Sequence, residues 1–349
     1  MKALTFTGVE SVALETILDP ELLQEQDVIV RVKACAICGS DLHVYHGRET
    51  GIDNHTAMGH EFAGEVVAKG RAVRTLSVGD RVMSPFTTSC GDCHFCRIGL
   101  TCRCTRGQLF GWVENGKGLH GGQAEFVRVP LADSTLMKMP DGMDMELAVM
   151  LGDIIPTGFF CAKQGPGKAV GVAGCGPVGL MAVLGAIHYG AERVYAFDSV
   201  PVRLQMAASF GAIPVDITKS GFREAMKEAT AGIGFDSMLE AVGSGAALKM
   251  CYDLVRPGGT VSAVGVCTDA VLPFSPVDAY NKNLTYKTGR CPARYLMPEL
   301  LPLVMEGRYD FKRIITHRMG LEEGVDGYRM FAARTGDCLK ILLTTDHCS

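Results

Sequence analysis

Residues 169–187, AVGVAGCGPVGLMAVLGAI, decide the fold of this chain. An apolar run leads into Gly174, Gly176 and Gly179, spaced as GxGxxG, and a second apolar run follows them. In this pattern the first glycine makes a tight turn, the second lets backbone approach a pyrophosphate, and the third lets a helix pack on a strand. The segment predicts a buried strand, a phosphate-binding turn that includes Pro177 and Val178, and a helix that begins at the diphosphate.

The same segment has 19 residues without a charge, which is nearly the length of a membrane span. Its glycines and Pro177 interrupt any continuous helix, so we exclude a span. Residues 1–8, MKALTFTG, lack the apolar run and the cleavage site of a signal peptide. We therefore expect a cytoplasmic protein with no membrane partner.

A second apolar strand over residues 194–197 ends in Asp198, about the distance from the glycines at which an acid meets the adenosine ribose. Its charge would repel a 2′-phosphate, which favours NAD over NADP. Arg203 could flank that ribose or hold a phosphate instead. The alternative is a glycine-rich turn in another α/β fold, with Asp198 merely capping the next helix.

The length and texture of the chain indicate two domains. At ~100 to 200 residues per domain, 349 residues allow two, with one possibly interrupting the other. Short β-rich runs fill the first third, and strands alternate with helices from about residue 165, as in a doubly wound parallel sheet. We predict a first domain over 1–154 that is completed by 290–349, and a nucleotide-binding domain over 155–289.

The charge balance points to a small-molecule partner. Lysine and arginine number 34 against 38 aspartate and glutamate residues, a net charge of −4. No broad basic face is available for nucleic acid or for an anionic membrane.

Four cysteines in the stretch CGDCHFCRIGLTCRC have the spacing of a metal site: Cys90, Cys93, Cys96 and Cys104. Four thiolates around tetrahedral Zn²⁺ make a closed, structural site. Cys102 is a rival for the fourth position. Free thiols clustered by accident are the alternative to a metal site.

A second set of potential zinc ligands is scattered along the chain: Cys38, His60, Glu61 and Asp153. Thiolate, imidazole and carboxylate all bind zinc, and a catalytic zinc needs about three protein ligands plus an exchangeable position. The residues alone do not prove that these four meet.

Four motifs in this order, GHEFAGEV, VGDRV, CGDCHFCRIGLTCRC and GCGPVG, resemble the zinc-dependent alcohol dehydrogenases of the medium-chain dehydrogenase/reductase family. The resemblance covers essentially the whole chain. It implies a GroES-like β-barrel catalytic domain, an inserted Rossmann domain, an active site in the cleft, and two zinc ions per chain, one catalytic and one structural.

The resemblance also implies roles for the scattered ligands. Cys38 and His60 match the first two catalytic-zinc ligands, and Asp153 stands where animal and plant members have a cysteine, as in some bacterial and archaeal members. Glu61 matches a residue that ligates zinc or exchanges with water, so we treat it as a conditional ligand.

Ser40 matches the hydroxyl that takes the alcohol proton, and His43 the imidazole that passes it to solvent. The alternatives are that Ser40 caps a helix and that His43 is a surface residue, with His46 and His55 as competitors.

Further positions match cofactor or substrate contacts in the family. Thr157, Val242, Val264 and Val266 match the shell around the nicotinamide, although packing within the Rossmann domain is as good an explanation for the valines. Lys340 matches a basic residue that reaches the pyrophosphate, with a solvated lysine as the alternative. Phe110 and Trp112 would line the substrate pocket, or pack in the core.

The leading hypothesis is therefore an NAD-dependent zinc alcohol dehydrogenase that forms homo-oligomers, with a tetramer favoured over a dimer. A polyol or amino-alcohol dehydrogenase of the sorbitol or threonine type would use the same parts with a more polar pocket. A non-catalytic NAD-binding protein of this fold is the remote alternative.

Overall fold

The computed structural model describes residues 1–345, which form two compact units. The first unit comprises Met1–Asp153 and the chain from Pro292 onward, and the second is Ile154–Cys291. The first boundary thus follows Asp153 rather than residue 154, and the second follows Cys291 rather than residue 289. Among the described residues, no single helix is long and apolar enough to cross a membrane, although one bent pair of helices, Met145–Gly152 with Ile154–Gln164, passes that test jointly.

Residues 1–153 are mainly β-structure. The strands are β1 (Lys2–Gly8), β2 (Ser11–Thr16), β3 (Val28–Ile37), β4 (Thr56–Ala57), β5 (Phe62–Lys69), β6 (Arg81–Met83), β7 (Trp112–Glu114), β8 (Lys117–Leu119), β9 (Phe126–Val129) and β10 (Met137–Lys138). The helices are α1 (Asp41–Tyr45), α2 (His94–Arg97), α3 (Ala132–Thr135) and α4 (Met145–Gly152), with a 3₁₀ turn at Thr101–Arg103.

Strands and helices alternate through the second unit. In chain order they are α5 (Ile154–Gln164), β11 (Ala169–Ala173), α6 (Pro177–His188), β12 (Arg193–Asp198), α7 (Pro201–Ser209), β13 (Ile213–Asp216), α8 (Phe222–Ala229), β14 (Phe235–Glu240), α9 (Gly245–Leu254), β15 (Val255–Ala263), α10 (Pro276–Lys282) and β16 (Thr285–Thr288).

The chain then returns to the first unit. This last part contains α11 (Ala293–Met305), β17 (Ile315–Gly320), α12 (Gly324–Ala333) and β18 (Lys340–Thr344), with 3₁₀ turns at Phe311–Ile314 and Leu321–Glu323.

The second unit carries one parallel sheet in the order β13-β12-β11-β14-β15-β16. This is the 3-2-1-4-5-6 order of the Rossmann fold, which confirms the prediction from the glycine motif. Strand order reverses between β11 and β14, and ligands of such sheets bind outside the carboxyl ends of the strands at that point. Large apolar side chains from the strands and flanking helices, such as Phe197, Phe235 and Met238, form the core of this unit.

The main sheet of the first unit has the path β10-β6-β5-β3-β18-β17, with β9 also pairing with β3. Its central strand β3 joins β5 in antiparallel register, with Cys35 opposite Phe62. Chain that leaves β3 therefore lies beside chain that enters β5. This pairing brings Cys38, just after β3, next to His60 and Glu61, just before β5.

Two other elements reach the same end of β3. Strand β18 runs antiparallel to β3 with Ile341 opposite Ile37, so Lys340 lies beside the segment that follows β3. Helix α4 packs against β3, β5 and β6, and Asp153 follows its last residue. The sheet therefore gathers residues from four distant parts of the sequence at one point.

Candidate active site

Four potential metal ligands converge at the end of β3: Cys38, His60, Glu61 and Asp153. Their ligand atoms all lie within 4.8 Å of one another, and all four residues are buried. Asp153 Oδ2 lies 3.3 Å from His60 Nε2 and 3.6 Å from Cys38 Sγ. The structure thus brings together the scattered ligands named from the sequence.

The electrostatics of this cluster fit a divalent cation. Burial, together with the carboxylates of Glu61 and Asp153, raises the pKa of the Cys38 thiol. Burial also opposes ionisation of Asp153, but the hydrogen bond and the charge of His60, together with the charge of Lys340, outweigh it and lower the pKa of Asp153 to about 2. A buried site with a thiol and two carboxyl groups needs positive charge, and this donor set is one that zinc accepts.

Glu61 contributes an unpartnered oxygen. The side chain is fully buried, and its Oε1 accepts no hydrogen bond from the described residues. Burial raises the pKa of Glu61 to about 7, although the neighbouring Lys340 works against this. A buried carboxylate oxygen with no partner is suited to ligate a metal, which agrees with its conditional role.

Lys340 pairs with Glu61 through its ammonium group, which also donates to the carbonyl oxygen of Ile37 at 3.2 Å. The side chain is 1% exposed, so the alternative of a solvated lysine is wrong. No pattern in the sequence indicates the pairing with Glu61, because only the β3–β18 register brings the two residues together. Its contact with a pyrophosphate stays a prediction.

Ser40 presents its hydroxyl to the metal cluster. It occupies the N-cap position of α1 but makes no side-chain capping hydrogen bond, so the capping alternative is wrong. Its Oγ lies 3.2 Å from His60 Nε2, the ring nitrogen that faces Asp153. A hydroxyl at this position can exchange a proton with a ligand bound at the cluster.

His43, on α1, is half-buried, and its Nδ1 has no hydrogen-bond partner among the described residues. Burial lowers the pKa of His43, which keeps the ring neutral and able to accept a proton at pH 7. Its two competitors are engaged elsewhere, since His46 pairs with Glu10 at 2.7 Å and His55 pairs with Glu15 at 2.8 Å. His43 therefore stays the candidate for the proton relay.

Asp41 completes the surroundings of the cluster, and the sequence analysis missed it. Its Oδ1 lies 3.2 Å from His60 Nδ1, and its Oδ2 accepts the Cys38 N–H at 2.9 Å. A carboxylate on the far nitrogen of a metal-binding histidine fixes its tautomer. The position of Asp41 in the motif CGSDLH, three residues after Cys38, was the available signal.

The glycine turn of the second unit has the predicted geometry. Gly174 has φ +90°, in the left-handed region that favours glycine, and a Cβ on Gly179 would lie 1.7 Å from the Gly174 carbonyl oxygen. A Cβ on Gly176 would meet nothing within 4 Å. Gly176 is the N-cap of α6, and Pro177 and Val178 begin that helix. The helix N-terminus is thus open to an anion.

Asp198 ends β12 and is buried beside this turn. Its carboxylate accepts backbone N–H groups from Cys175 at 2.7 Å, Ser199 at 2.7 Å and Val200 at 2.9 Å. The acid therefore ties the glycine turn to the start of the following loop. Arg203 lies half-buried on the next helix, α7.

The predicted nicotinamide contacts differ in exposure. Val242 is 48% exposed and Val266 is 41% exposed, so core packing does not explain these two valines. Val264 and Thr157 are half-buried. Val242, Val264 and Val266 follow the carboxyl ends of β14 and β15, the edge of the sheet where cofactors bind.

The cysteine lobe forms a second group of potential metal ligands: Cys90, Cys93, Cys96 and Cys104. Their sulfur atoms lie within 4.8 Å of one another, and the group contains Cys104 rather than Cys102. Backbone hydrogen bonds from Cys96 and Thr105 lower the pKa of Cys93 to about 5. The arrangement fits a closed tetrahedral zinc site.

Comparisons with known proteins agree with both halves of this architecture. Residues 24–141 match the alcohol dehydrogenase GroES-like domain, and residues 177–306 match the zinc-binding dehydrogenase domain. Zinc-type alcohol dehydrogenase B of Aspergillus flavus is 40% identical over 347 residues, covering 95% of this chain and 79% of the relative. The chain belongs to the zinc-dependent alcohol dehydrogenases of the medium-chain dehydrogenase/reductase family.

Two further similarities bear on this family assignment. The solved alcohol dehydrogenase TADH from Thermus sp. ATN1 superposes with a TM-score of 0.91 at 39% identity, covering 99% of both chains. An L-threonine 3-dehydrogenase of Francisella philomiragia is 34% identical, covering 91% of both chains. The predicted GroES-like and Rossmann domains are thereby confirmed, and the chain is an oxidoreductase of this zinc-dependent family.

The two aromatic residues named for the substrate pocket of this dehydrogenase have different environments. Phe110 is 1% exposed and packs edge-on against Phe62, with ring centroids 5.0 Å apart. The pocket-wall prediction for Phe110 is therefore wrong, because its ring lies inside the core of the first unit. Trp112 is half-buried at the edge of that core, and its indole N–H donates to Glu114 at 3.4 Å.

Proposed function

We propose that this chain is an NAD-dependent alcohol dehydrogenase that interconverts a primary or secondary alcohol with its aldehyde or ketone, using one catalytic and one structural zinc ion. The observation that carries the proposal is the buried cluster of Cys38, His60 and Asp153 with the Ser40 hydroxyl directed at it. Structural zinc needs no hydroxyl at its edge, whereas alcohol oxidation needs a group to take a proton.

The catalytic zinc would polarise the alcohol oxygen and lower its pKa, so that hydride can pass to C4 of the nicotinamide. Cys38, His60 and Asp153 would hold the ion, and the unpartnered oxygen of Glu61 is the conditional fourth ligand. Ser40 would accept the alcohol proton. The ring of His43, kept neutral by burial, would carry it onward.

The second unit supports NAD as the cofactor. The open helix N-terminus at Gly176 suits a diphosphate, and the buried carboxylate of Asp198 at the end of β12 would repel a 2′-phosphate. The homotetramer and the cytoplasmic location stay predictions.

A polyol or amino-alcohol dehydrogenase is the second candidate, supported by the similarity to the threonine dehydrogenase of Francisella. The deciding measurement is NADH formation from short alcohols, cyclic alcohols, polyols and L-threonine, with and without a chelator and with zinc added back. We expect chelator-sensitive turnover that is highest with simple alcohols. Turnover with polyols or L-threonine alone would transfer the proposal to the second candidate, and NAD binding without turnover on any substrate would contradict both.

The cofactor choice has its own test. Asp198→Asn keeps the shape of the side chain and removes its charge, so the ratio of kcat/KM for NADP to that for NAD should rise ~10-fold or more. Asp253→Ala, which removes a surface carboxylate of α9, is the control and should leave the ratio unchanged. An unchanged ratio in Asp198→Asn would contradict the ribose contact.

A further inference from the structure

The carboxylate of Asp41 contacts two of the predicted zinc ligands at once. Its Oδ1 lies 3.2 Å from His60 Nδ1, and its Oδ2 accepts the backbone N–H of Cys38 at 2.9 Å. Asp41 is 4% exposed, so no bulk water competes for these contacts. A rotation of this carboxylate would therefore disturb both ligands.

Gln123, 82 residues away in sequence, holds that carboxylate from the other side. Its Nε2 donates to Asp41 Oδ2 at 3.2 Å and to the carbonyl oxygen of Ala36 at 3.0 Å. The side chain is fully buried, and a Cβ on Gly59 would lie 2.4 Å from Gln123 Cγ. Gln123 is thus packed against the residue that immediately precedes His60.

Tyr328, on helix α12, holds the opposite end of the Gln123 amide. Its hydroxyl donates to Gln123 Oε1 at 2.8 Å, and the residue is 1% exposed. Burial raises the pKa of Tyr328 well above its ordinary value, which keeps the phenol protonated. The hydroxyl therefore remains a donor.

The direction of each hydrogen bond that links Tyr328, Gln123 and Asp41 is fixed by the groups involved. Asp41 and the Ala36 carbonyl can only accept, so Gln123 must present its NH₂ group to both. The amide oxygen of Gln123 can only accept, so the Tyr328 phenol must donate to it. Asp41 then accepts a hydrogen bond from the Nδ1–H of His60, which leaves the lone pair of His60 Nε2 for a metal.

We propose that Gln123 and Tyr328 are positioning residues of the catalytic metal centre. Through Asp41 they fix the tautomer and the ring orientation of His60, although neither contacts a predicted ligand atom. The proposal rests on the catalytic zinc of the proposed function. It gives helix α12, from the returning part of the chain, a role in metal retention.

The test is zinc release from the purified full chain into a chromophoric chelator, where the lobe zinc serves as an internal reference. Tyr328→Phe removes one hydroxyl and should speed release of the catalytic zinc ~3- to 10-fold while leaving the slower lobe zinc unchanged. Gln123→Met has similar length without polar atoms and should have the larger effect. Direct outer-sphere partners are worth ~10- to 100-fold in metal affinity or activity, and these residues act one step further away.

Tyr45→Phe is the matched control, because Tyr45 is buried beside Tyr328 with ring centroids 5.8 Å apart. It should leave both release rates unchanged. In an Asp41→Asn background, Tyr328→Phe should add little, since its effect passes through Asp41.

The outcomes separate this inference from the function on which it rests. Two zinc ions in the wild type, with release from Tyr328→Phe equal to wild type or to Tyr45→Phe, would overturn the positioning role alone. An equal effect of Tyr328→Phe in the Asp41→Asn background would also overturn it. Only lobe zinc in the wild type would overturn the proposed function together with this inference.

Discussion

The cysteine lobe and the buried cluster around Cys38 bring together their potential metal ligands in different ways. The lobe takes all its ligands from residues 90–104, and backbone N–H groups of the same loop bond to its sulfur atoms, as from Cys93 to Cys90 at 3.4 Å. The ligands of the cluster are spread over the sequence between Cys38 and Asp153. They come together only through the register of β3 with β5 and the packing of helix α4. A short loop is enough for the first site, whereas the second requires the folded sheet.

The donor atoms of the two groups also differ. Four thiolates would close the coordination sphere of a zinc ion in the lobe, which suits a structural role. The buried cluster mixes sulfur, nitrogen and carboxylate oxygen and has a hydroxyl, Ser40, at its edge. The two sites should therefore respond differently when one ligand is removed.

Removal of a ligand from the buried cluster should lower the turnover rate and leave the stability of the fold nearly unchanged. Cys38→Ser should lower kcat by ~10³-fold or more, since a metal supplies several kcal/mol of transition-state stabilisation. Zinc content should fall by one ion per chain, and NAD binding should persist. Cys35→Ala, a buried thiol on β3 outside the ligand group, is the control and should remain active. Wild-type turnover in Cys38→Ser would show that the cluster holds no catalytic metal.

Removal of a ligand from the lobe should lower the stability of the fold and leave the turnover rate nearly unchanged. Cys96→Ser should cost about 3 kcal/mol of stability and lower the melting temperature by ~6 to 12 °C, because ~1 kcal/mol shifts a unit of this size by ~2 to 4 °C. The kcat of the molecules that stay folded should change less than ~3-fold. Cys102→Ala, the neighbouring thiol outside the group, should keep both zinc ions. Loss of turnover at an unchanged melting temperature would remove the distinction between the two sites.

The smallest effect should come from Asp144, the N-cap of the helix that delivers Asp153. Its side chain accepts the Glu146 N–H at 2.8 Å and pairs with Lys312 at 2.6 Å. Asp144→Ala should cost about 1 kcal/mol, the usual value of such a cap. Release of catalytic zinc should quicken slightly and release of lobe zinc should not. Asp141→Ala, an exposed carboxylate close by, is the control.

The Asp144 contribution also has a predictable pH dependence. Burial opposes ionisation, but the hydrogen bond and the charge of Lys312, together with the backbone hydrogen bonds from Glu146 and Leu147, outweigh it and lower the pKa of Asp144. A lowered pKa in the folded state means that the contribution is complete above the ordinary value of ~3.9 and is lost as pH falls toward the lowered value. The wild type and Asp144→Ala should therefore converge in melting temperature below about pH 4. A constant difference at all pH values would contradict this account.

The sequence was sufficient wherever local spacing carries the information. The glycine turn and the four-cysteine lobe lie within short stretches, and their geometry follows from backbone reach. Cys38, His60, Glu61 and Asp153 needed the family resemblance as well, because no spacing rule joins residues more than 100 positions apart. Their convergence depends on strand register, which a single sequence does not display.

The residues that were not predicted, or were placed wrongly, from the sequence all depend on tertiary contacts. Asp41, Gln123 and Tyr328 are joined by hydrogen bonds between distant parts of the chain. Such contacts produce no periodic pattern in the sequence. The pairing of Lys340 with Glu61 depends on which strand lies beside β3. The burial of Phe110 depends on the position of Phe62 across the core.

The carboxylate of Asp153 has a consequence for oxidative damage. With an oxygen ligand in the place of a second sulfur, the buried cluster contains one oxidisable ligand, Cys38, and that side chain is 7% exposed. The lobe presents four sulfur atoms, on three half-buried residues and one buried residue. Thiolates oxidise according to their ionisation and their access to peroxide. Oxidation should therefore affect the lobe before Cys38, so that the stability of the fold falls before the turnover rate does.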